Sequence, residues 1–322
     1  MGVAEPPGAD GDSPAEAELI ADRGAAAESE EFFRSRPFLD AEGVTHTLRI
    51  VSGERTALVP LIVREIEGSD RLDATSPYGY PGATISGARP PPAPEGVDWS
   101  PTGLISVFAR ERLLADAWVA GASERSPVLV HDPTKPRRLR SRLAEQIRAN
   151  SRDGWTVDAH PGPQSAPADR DAFALAYGET MRRTGAAERY LYPPEYFDSV
   201  LSSPRSWLLV ARRRAEAGAA AILGTSDGVL HYYLGGTADR FREASPFKNV
   251  VAAMLDRADE LQLPLNLGGG VTAGDGLETF KRGFANAELP FRTHELVCDQ
   301  GEYERLAAGR DAGDFFPAYR AR

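Results

Sequence analysis

Residues 207–235 read WLLVARRRAEAGAAAILGTSDGVLHYYLG, three runs of apolar and β-branched residues separated by short polar turns. This pattern predicts three consecutive strands, at 207–213, 218–225 and 229–235. Apolar periodicity predicts further elements on either side of them. These are a strand at 155–159, helices at 169–184 and 193–202, a helix at 246–261, a strand at 263–267, a short helix at 276–284 and a strand at 291–297. The predicted order is β-α-α-β-β-β-α-β-α-β.

That order resembles the GNAT acyltransferase fold. The first half of the chain predicts a hairpin at 44–51 and 56–66, strands at 104–108 and 128–131, a helix through Ala117 and a basic helix at 136–151. A degenerate copy of the same unit is therefore expected, which gives an α/β protein with two GNAT-like domains in tandem. The predicted divisions are a disordered leader at 1–14, an N-terminal domain at 15–160 and a C-terminal domain at 161–322.

Composition restricts the possible chemistry. The 322 residues carry 37 basic and 47 acidic side chains, a formal charge of −10, and Cys298 is the single cysteine. A disulfide and a multi-cysteine metal site are thus excluded, and we expect neither a metal nor a redox cofactor. No segment resembles a secretory signal or an apolar membrane span, so a cytoplasmic protein is expected. Phosphate-loop, serine-hydrolase and zinc-peptidase motifs are also lacking.

The turn before the helix at 246–261 disfavours coenzyme A. GNAT enzymes hold the coenzyme A pyrophosphate on backbone amides of a glycine-containing turn, Arg/Gln-x-x-Gly-x-Gly/Ala. Here residues 242–247 read REASPF, so Ser245 and Phe247 replace small residues and Pro246 has no N–H to donate. Ser245 is instead expected to cap the helix, with Pro246 in its first turn.

Several stretches together resemble the FemAB-type aminoacyltransferases. They are SPYGYPG (76–82), the spaced residues Tyr177, Thr180, Met181, Arg183, Ala187 and Tyr190, the pair Tyr196-Phe197, HYYLGGT (231–237), Ser245-Pro246 and LGGG with DGLETFKRGF (267–270 and 275–284). The resemblance implies a tandem GNAT fold whose segment after Cys298 packs on the first domain. It also implies transfer of an amino acid from aminoacyl-tRNA to an amine of a peptidoglycan precursor, small peptide or nucleoside, without a cofactor.

The stretch at 267–284 carries the expected catalytic residue. Gly268, Gly269 and Gly270 let the chain turn and admit a ligand close to the backbone, and Asp275 is expected to cap the following helix. By the resemblance, Lys281 lies beside the ester of the tRNA 3′ adenosine and stabilises the oxyanion, and Phe280 packs on that nucleotide. The alternative reading is a solvated lysine beside a core phenylalanine.

Acceptor binding is expected at SPYGYPG, a turn-rich tract within a predicted surface loop at 76–97. Tyr78 and Tyr80 offer flat faces and hydroxyls, although they can equally cover the edge of a core. Arg183 lies at helical spacing from Tyr177 and Thr180 and can hold a phosphate or carboxylate. Tyr190 is placed with these acceptor residues.

The best tRNA footprint is KPRRLRSRL (135–143), in which Arg138 and Arg142 are expected to share a helical face. Solvated cations paired with nearby acids explain the same stretch. His231 is expected to be structural, and of Tyr232 and Tyr233 one is expected to face the cleft.

Two other functions stay open at this point. One is an acyl-CoA-dependent N-acyltransferase with an unusual pyrophosphate turn. The other is a non-catalytic protein of an envelope or polysaccharide pathway that keeps the fold without activity.

Overall fold

The structure, a computed structural model, describes residues 14–270 and 274–321. The helices are α1 (Arg36–Ala41), α2 (Ser141–Arg152), α3 (Pro167–Thr184), α4 (Pro194–Leu201), α5 (Phe247–Leu261), α6 (Gly276–Arg282) and α7 (Gln300–Ala307). The strands are β1 (Ala15–Ile20), β2 (His46–Ser52), β3 (Arg55–Glu65), β4 (Leu72–Thr75), β5 (Thr84–Ser86), β6 (Val97–Asp98), β7 (Leu104–Arg110), β8 (Ser123–His131), β9 (Trp155–Pro161), β10 (Ser206–Arg213), β11 (Glu216–Ser226), β12 (Val229–Thr237), β13 (Leu265–Gly268) and β14 (Ala287–Val297). The leader predicted at 1–14 lies outside the described residues except for Pro14.

One continuous sheet joins the two halves of the chain. Its strand order is β6-β1-β2-β3-β4-β7-β14-β8-β13-β12-β11-β10-β9, and β5 pairs with β3. The late strand β14 lies between β7 and β8, and β8 also pairs with β13. Strand β9 pairs with β10, so elements that precede residue 160 pack with those that follow it. The domain boundary near residue 160 stays a prediction.

Helices cover both faces of the second half of the sheet. In β10 the side chains of Leu209 and Ala211 point toward the core under α5, while those of Leu208 and Val210 point toward α3 and α4. This alternation is the one the sequence pattern of residues 207–235 requires, because successive strand residues project to opposite faces. A third core fills the first half, where Trp118 is fully buried.

The segment after Cys298 returns to the first half of the chain. The Tyr319 hydroxyl lies 2.7 Å from that of Ser106 and donates to Asp73 at 3.2 Å. Arg320 forms an ion pair with the same buried carboxylate at 2.5 Å. Asp73 therefore ties β4 and β7 to the C-terminal segment. Among the described residues, no helix has both the length and the apolar composition needed to cross a membrane.

The predicted helix through Ala117 is wrong. Residues 111–120 are irregular, because both ends of the segment are anchored in the core. Buried Glu111 lies 2.6 Å from His294 of β14, and its carboxylate accepts a bond from the Trp118 amide at 3.2 Å. The predicted surface loop at 76–97 contains the short strand β5, and strands β1 and β4 were not predicted.

Two local predictions at helix starts are also wrong. Helix α2 begins at Ser141, so Arg138 precedes it and does not share a helical face with Arg142. Ser245 makes no side-chain cap on α5; it has a left-handed backbone (φ 51°), and Pro246 occupies the cap position. By contrast, the Asp275 cap of α6 is confirmed, since its carboxylate accepts from the Glu278 amide at 2.7 Å.

A buried ion-pair network connects the two halves. Asp227, in the turn between β11 and β12, accepts from Arg34 at 2.7 and 3.0 Å and from Arg112 at 3.1 Å. Arg34 also donates to the Pro81 carbonyl at 2.6 Å, and so holds the 76–82 segment. Burial alone would raise the pKa of Asp227, but Arg34 and Arg112 outweigh it and hold that pKa below its usual value.

Replacing Asp227 with Asn should lower the free energy of unfolding by about 3 kcal/mol, because two arginines lose their buried counter-charge. Asn tolerates the left-handed backbone at this position, so the change isolates the charge. Urea denaturation at pH 7 measures the loss, and Asp171→Asn on the exposed side of α3 serves as a control within about 0.5 kcal/mol of wild type. A native-like Asp227→Asn protein would show that the network does not hold the halves together.

The stabilisation from Asp227 also has a defined pH dependence. The pKa of Asp227 in the folded protein is lower than its unfolded value of about 3.9. Its contribution to the free energy of unfolding is therefore fully present above about pH 3.9 and is lost as pH falls through the folded pKa.

Candidate active site

A cleft opens where β12 and β13 separate. The two strands run parallel and pair only at Leu230 with Leu265 and at His231 with Asn266. Beyond His231 the pairing of β12 with β11 also shifts register, which indicates a bulge at Tyr233. The carboxyl half of β12 therefore diverges from Gly268 at the end of β13.

Lys281 lies on the α5 and α6 side of this cleft. Only 9% of its surface is exposed, and its Nζ donates to the Gly269 carbonyl at 2.8 Å. The same ammonium lies 5.6 Å from the centre of the Tyr232 ring. Burial lowers the pKa of Lys281 to about 8, against the opposing influence of Asp275. Among residues 14–270 and 274–321, no carboxylate lies within ion-pair distance of Nζ.

The glycines after β13 make room for this ammonium. Gly268 has a left-handed backbone (φ 76°), and a Cβ there would stand 3.1 Å from Lys281 Nζ. Gly269 supplies the carbonyl that Nζ contacts, whereas Gly270 is exposed. Residues 271–273, which follow Gly270, lie outside the described part of the chain.

Phe280 is half-buried beside the core. Its ring centre is 5.2 Å from that of Phe284 and 6.4 Å from that of Phe247, which in turn lies 5.7 Å from Tyr232. These aromatic rings form the wall of the cleft on the α5 and α6 side. Phe280 therefore packs at the edge of the core, as the alternative interpretation of the sequence expects. Its packing on a nucleotide stays a prediction.

The first half contributes the 76–82 segment to the cleft. Gly79 is left-handed (φ 96°), and a Cβ there would lie 2.3 Å from the Phe33 ring, so no other residue fits without displacement. Tyr80 stacks on His231 at 5.0 Å between ring centres. Tyr78 turns the other way, toward Tyr190, and exposes 39% of its surface. Glycine 79 therefore separates the two tyrosines.

Tyr78 has both charges and aromatic rings around it. Its ring lies 6.2 Å from Tyr190, 6.0 Å from Tyr233 and 5.9 Å from the Arg110 guanidinium carbon. Desolvation of its hydroxyl raises the pKa of Tyr78 to about 12; Tyr80, Tyr190 and Glu42 add to the rise and Arg110 opposes it. The structure thus brings together Tyr78 and Tyr190, two of the four predicted acceptor residues, whereas Tyr80 packs on His231.

Arg183, the fourth, has other partners. It forms an ion pair with Asp239 and donates to Thr180 Oγ1 at 3.1 Å and to the Thr237 carbonyl at 3.4 Å. These contacts place it at the far end of β12, where its charge is neutralised. An acceptor contact by Arg183 stays a prediction.

Sequence reasoning missed Glu42 and Arg110. Glu42 Oε2 accepts from the Tyr78 amide at 2.7 Å, and Oε1 accepts from the hydroxyls of Tyr196 and Tyr233. The only sequence feature that pointed toward Glu42 was its partner Tyr196, which belongs to the Tyr196-Phe197 pair noted in the sequence. Neither Glu42 nor Arg110 lies in a recognisable motif, and both join the site through tertiary contacts.

His231 and the two tyrosines after it have clear positions. Burial lowers the pKa of His231 to about 3, and its Nδ1 lies 3.1 Å from the Asn266 amide. His231 is thus buried and hydrogen-bonded, and its structural role stays a prediction. Tyr232 lies beside Lys281, while Tyr233 packs on Phe32 and Phe38 and reaches Glu42.

The two cations of the predicted tRNA footprint are exposed. Arg138 lines a cavity of about 330 Å³ together with Arg140 and Arg282. Arg142, on α2, is close enough to Lys248 for its charge to lower the pKa of that lysine, after the effect of burial. In the part of the chain that the structure describes, neither Arg138 nor Arg142 has an acidic partner, whereas Arg137 pairs with Asp256.

Comparison with known proteins agrees with this geometry. Residues 137–282 match the family model of the acetyltransferase (GNAT) domain. No curated protein matches the sequence significantly. A FemX crystal structure is similar to the chain with a TM-score of 0.60 and 11% identity, over 89% of this chain and 99% of the other.

Two further solved structures are similar to this chain. The C-terminal domain of a putative lysylphosphatidylglycerol synthetase from Agrobacterium fabrum has a TM-score of 0.53 and 13% identity, over 83% of this chain and 87% of the other. L-PGS from Bacillus licheniformis has a TM-score of 0.50 and 10% identity, over 77% and 82%. At these identities the likeness establishes the fold. The chain therefore has the α/β architecture of tandem GNAT-like domains that its sequence predicts, with an acyltransferase domain matched at 137–282.

Proposed function

We propose that this protein is a FemAB-type aminoacyltransferase that transfers an aminoacyl group from aminoacyl-tRNA to an amine and forms an amide. The observation that carries the proposal is Lys281, a buried ammonium without a carboxylate partner among the described residues, at the open end of the β12–β13 cleft. A cation held in this way is suited to a negative charge that develops on a bound substrate.

The reaction needs little from the protein besides positioning and charge. The unprotonated acceptor amine attacks the ester carbonyl of the donor, and the carbonyl oxygen becomes an oxyanion that Lys281 stabilises. When the tetrahedral species collapses, the C–O bond to the tRNA ribose breaks, the ribose oxygen takes a proton, and the amide remains. Tyr78, Tyr80 and Tyr190 are proposed to position the acceptor; the contact between Tyr78 and Tyr190 supports this for those two residues.

The start of α5 supports a donor other than coenzyme A. Pro246 has no amide hydrogen, and Ser245 holds the turn in a left-handed backbone. Phe247 packs on Tyr232 and approaches Phe280, and so occupies space beside the cleft. Because charged tRNA is cytoplasmic, the proposed reaction takes place there. The name of the similar Agrobacterium fabrum protein, a putative lysylphosphatidylglycerol synthetase, also implies an aminoacylated product.

Replacing Lys281 with Ala should lower the rate of transfer by about a hundredfold or more, the effect of removing one oxyanion donor. Single-turnover transfer of labelled amino acids from a mixed charged-tRNA pool to small amines measures this. Arg305→Ala, which removes an exposed cation paired with Glu302 on α7, is the control and should keep the wild-type rate. An unchanged rate for Lys281→Ala would refute the assignment, and saturable acetyl-CoA binding with acetyl transfer would favour the coenzyme A alternative.

The rate of transfer should fall as pH rises through about 8. Burial lowers the pKa of Lys281 to about 8, so the stabilising cation is present below that pH and disappears above it. The acceptor amine gains reactivity with rising pH, so the full profile should be bell-shaped. In Lys281→Arg the guanidinium stays charged, and the alkaline limb should vanish whatever the absolute rate. A wild-type rate that keeps rising to pH 10 would contradict a cationic role.

Arg138 and Arg142 are proposed to contact tRNA phosphates, since both are exposed without acidic partners in the described chain. The double change Arg138→Gln and Arg142→Gln should weaken tRNA binding and reduce the slope of log affinity against log salt by about 1 to 2. The control is Arg137→Gln, because Arg137 is already paired with Asp256. An unchanged salt slope would place the tRNA elsewhere.

A further inference from the structure

Two charges of opposite sign contact Tyr78, and the transfer chemistry uses neither. Glu42 lies on one side, where its carboxylate accepts from the Tyr78 amide at 2.7 Å. Arg110 lies on the other, with its guanidinium carbon 5.9 Å from the Tyr78 ring centre. Since both groups adjoin the same half-exposed residue, a small molecule that lies on Tyr78 can reach both.

The Glu42 side is built for a positive charge. A cavity of about 480 Å³ opens beside the carboxylate, lined by Tyr192, Tyr196 and Glu195. The rings of Tyr192 and Tyr196 are stacked 3.9 Å apart, with 8° between their planes. Carboxylates and aromatic faces both attract ammonium groups. Asp40, at the rim, is 3.7 Å from Arg36, but among the described residues no cation pairs with Glu42 or Glu195.

The Tyr196 and Tyr233 hydroxyls fix the position of the Glu42 carboxylate. The Tyr196 hydroxyl donates to Oε1, and the Tyr233 hydroxyl lies within hydrogen-bond distance of both Oε1 and the Tyr196 oxygen, so its single proton can go to either acceptor. Burial, followed by the nearby Glu42 charge, raises the pKa of both tyrosines, so they stay protonated donors. The Glu42 side chain is therefore held with its Oε2 turned toward the Tyr78 amide.

The Arg110 side is built for a negative charge. The guanidinium is half-buried at the end of β7, over the Phe108 ring at 5.0 Å. One of its nitrogens donates to the Ser76 carbonyl at 3.2 Å, with longer contacts to Ser76 Oγ and the Pro77 carbonyl at 3.5 Å. Among the described residues no carboxylate forms an ion pair with Arg110, although the Glu42 charge acts on it from a longer distance; Arg183, by contrast, forms an ion pair with Asp239. A guanidinium with free donors beside a cleft can bind a carboxylate.

We propose that the acceptor binds as a zwitterion, an amino acid or short peptide, whose ammonium faces Glu42 and its tyrosines and whose carboxylate binds Arg110. The amine attacks the donor ester once that ammonium has released its proton to water. This inference rests on the proposed function, because it names the substrate class of that transfer. It also disfavours an acceptor linked to a nucleoside diphosphate, whose charges would meet the carboxylates of Glu42, Glu195 and Asp40 at the cavity.

Calorimetric titration of the purified protein with four probes tests the proposal without tRNA. The probes are the dipeptide Ala-Ala, its C-terminal amide, its N-acetyl derivative and uridine diphosphate. The free dipeptide should bind at least about tenfold more tightly than either capped form, since each cap removes one charged contact. Uridine diphosphate should bind more weakly than the dipeptide.

Two variants assign the charges to the residues. Glu42→Gln should weaken binding of the dipeptide and its amide by about tenfold and leave the N-acetyl form unchanged. Arg110→Gln should weaken the dipeptide and the N-acetyl form and leave the amide unchanged. Matched controls are Glu145→Gln and Arg148→Gln, on the exposed side of α2. If Glu42→Gln does not fold, the titrations of Arg110→Gln and the titrations of wild type with the capped dipeptides still test the proposal.

The outcomes that overturn the proposal are distinct from those that overturn the transfer function. Equal affinity for free and capped dipeptides, equal effects of each variant on all probes, or tighter binding of uridine diphosphate would refute the zwitterion site. Selective dipeptide binding without transfer from any charged tRNA would instead keep the site and refute the donor. Transfer to a nucleotide-linked amine but not to a dipeptide would keep the donor and refute the acceptor class.

Discussion

The geometry of the candidate site depends on the partly buried carboxylate of Asp227, which lies between Arg34 and Arg112. Arg34 is 3% exposed, and it is tied at once to Asp227 in the second half of the chain and to the Pro81 carbonyl in the first. Arg34 thus holds the end of the 76–82 segment beside the turn between β11 and β12, while Glu42 and Arg110 hold its start through the Tyr78 amide and the Ser76 carbonyl. The turn between β11 and β12 thus positions both the strand that carries Tyr232 and the loop that faces it.

The cleft itself follows from incomplete strand pairing. Parallel strands β12 and β13 share two residue pairs and then diverge, so their unpaired edges face a cavity rather than each other. Helix α6 places Lys281 at that opening, where burial depresses its pKa and the Gly269 carbonyl holds its ammonium. Where the two strands diverge, the sheet loses hydrogen bonds, and Lys281 is instead surrounded by protein atoms of low dielectric constant. In such surroundings one cation stabilises a nearby negative charge strongly.

The elements that could be predicted from the sequence are those that short-range residue patterns determine. Strands β10 to β12 are apolar runs separated by short polar turns, and the Asp275 cap of α6 is a short-range bond, so both were predictable from sequence. The segment 111–120 was not, because Glu111 and Trp118 are fixed by the distant β14 rather than by their neighbours. Glu42 and Arg110 were missed for the same reason. Each lies at the end of a regular element, and only the fold brings them to Tyr78.

The two cations of the cleft, Lys281 and Arg110, differ in residue type, and each type suits its position. The chain has 34 arginines and three lysines, yet a lysine occupies position 281. A Cβ on Gly268 would lie 3.1 Å from Nζ, so the space suits a compact ammonium better than a planar guanidinium. At Arg110 the opposite holds, since a fixed fork of donors can bind a carboxylate and burial does not discharge it. These properties fit the proposed roles, in which Lys281 stabilises a transient oxyanion and Arg110 binds the carboxylate of the acceptor.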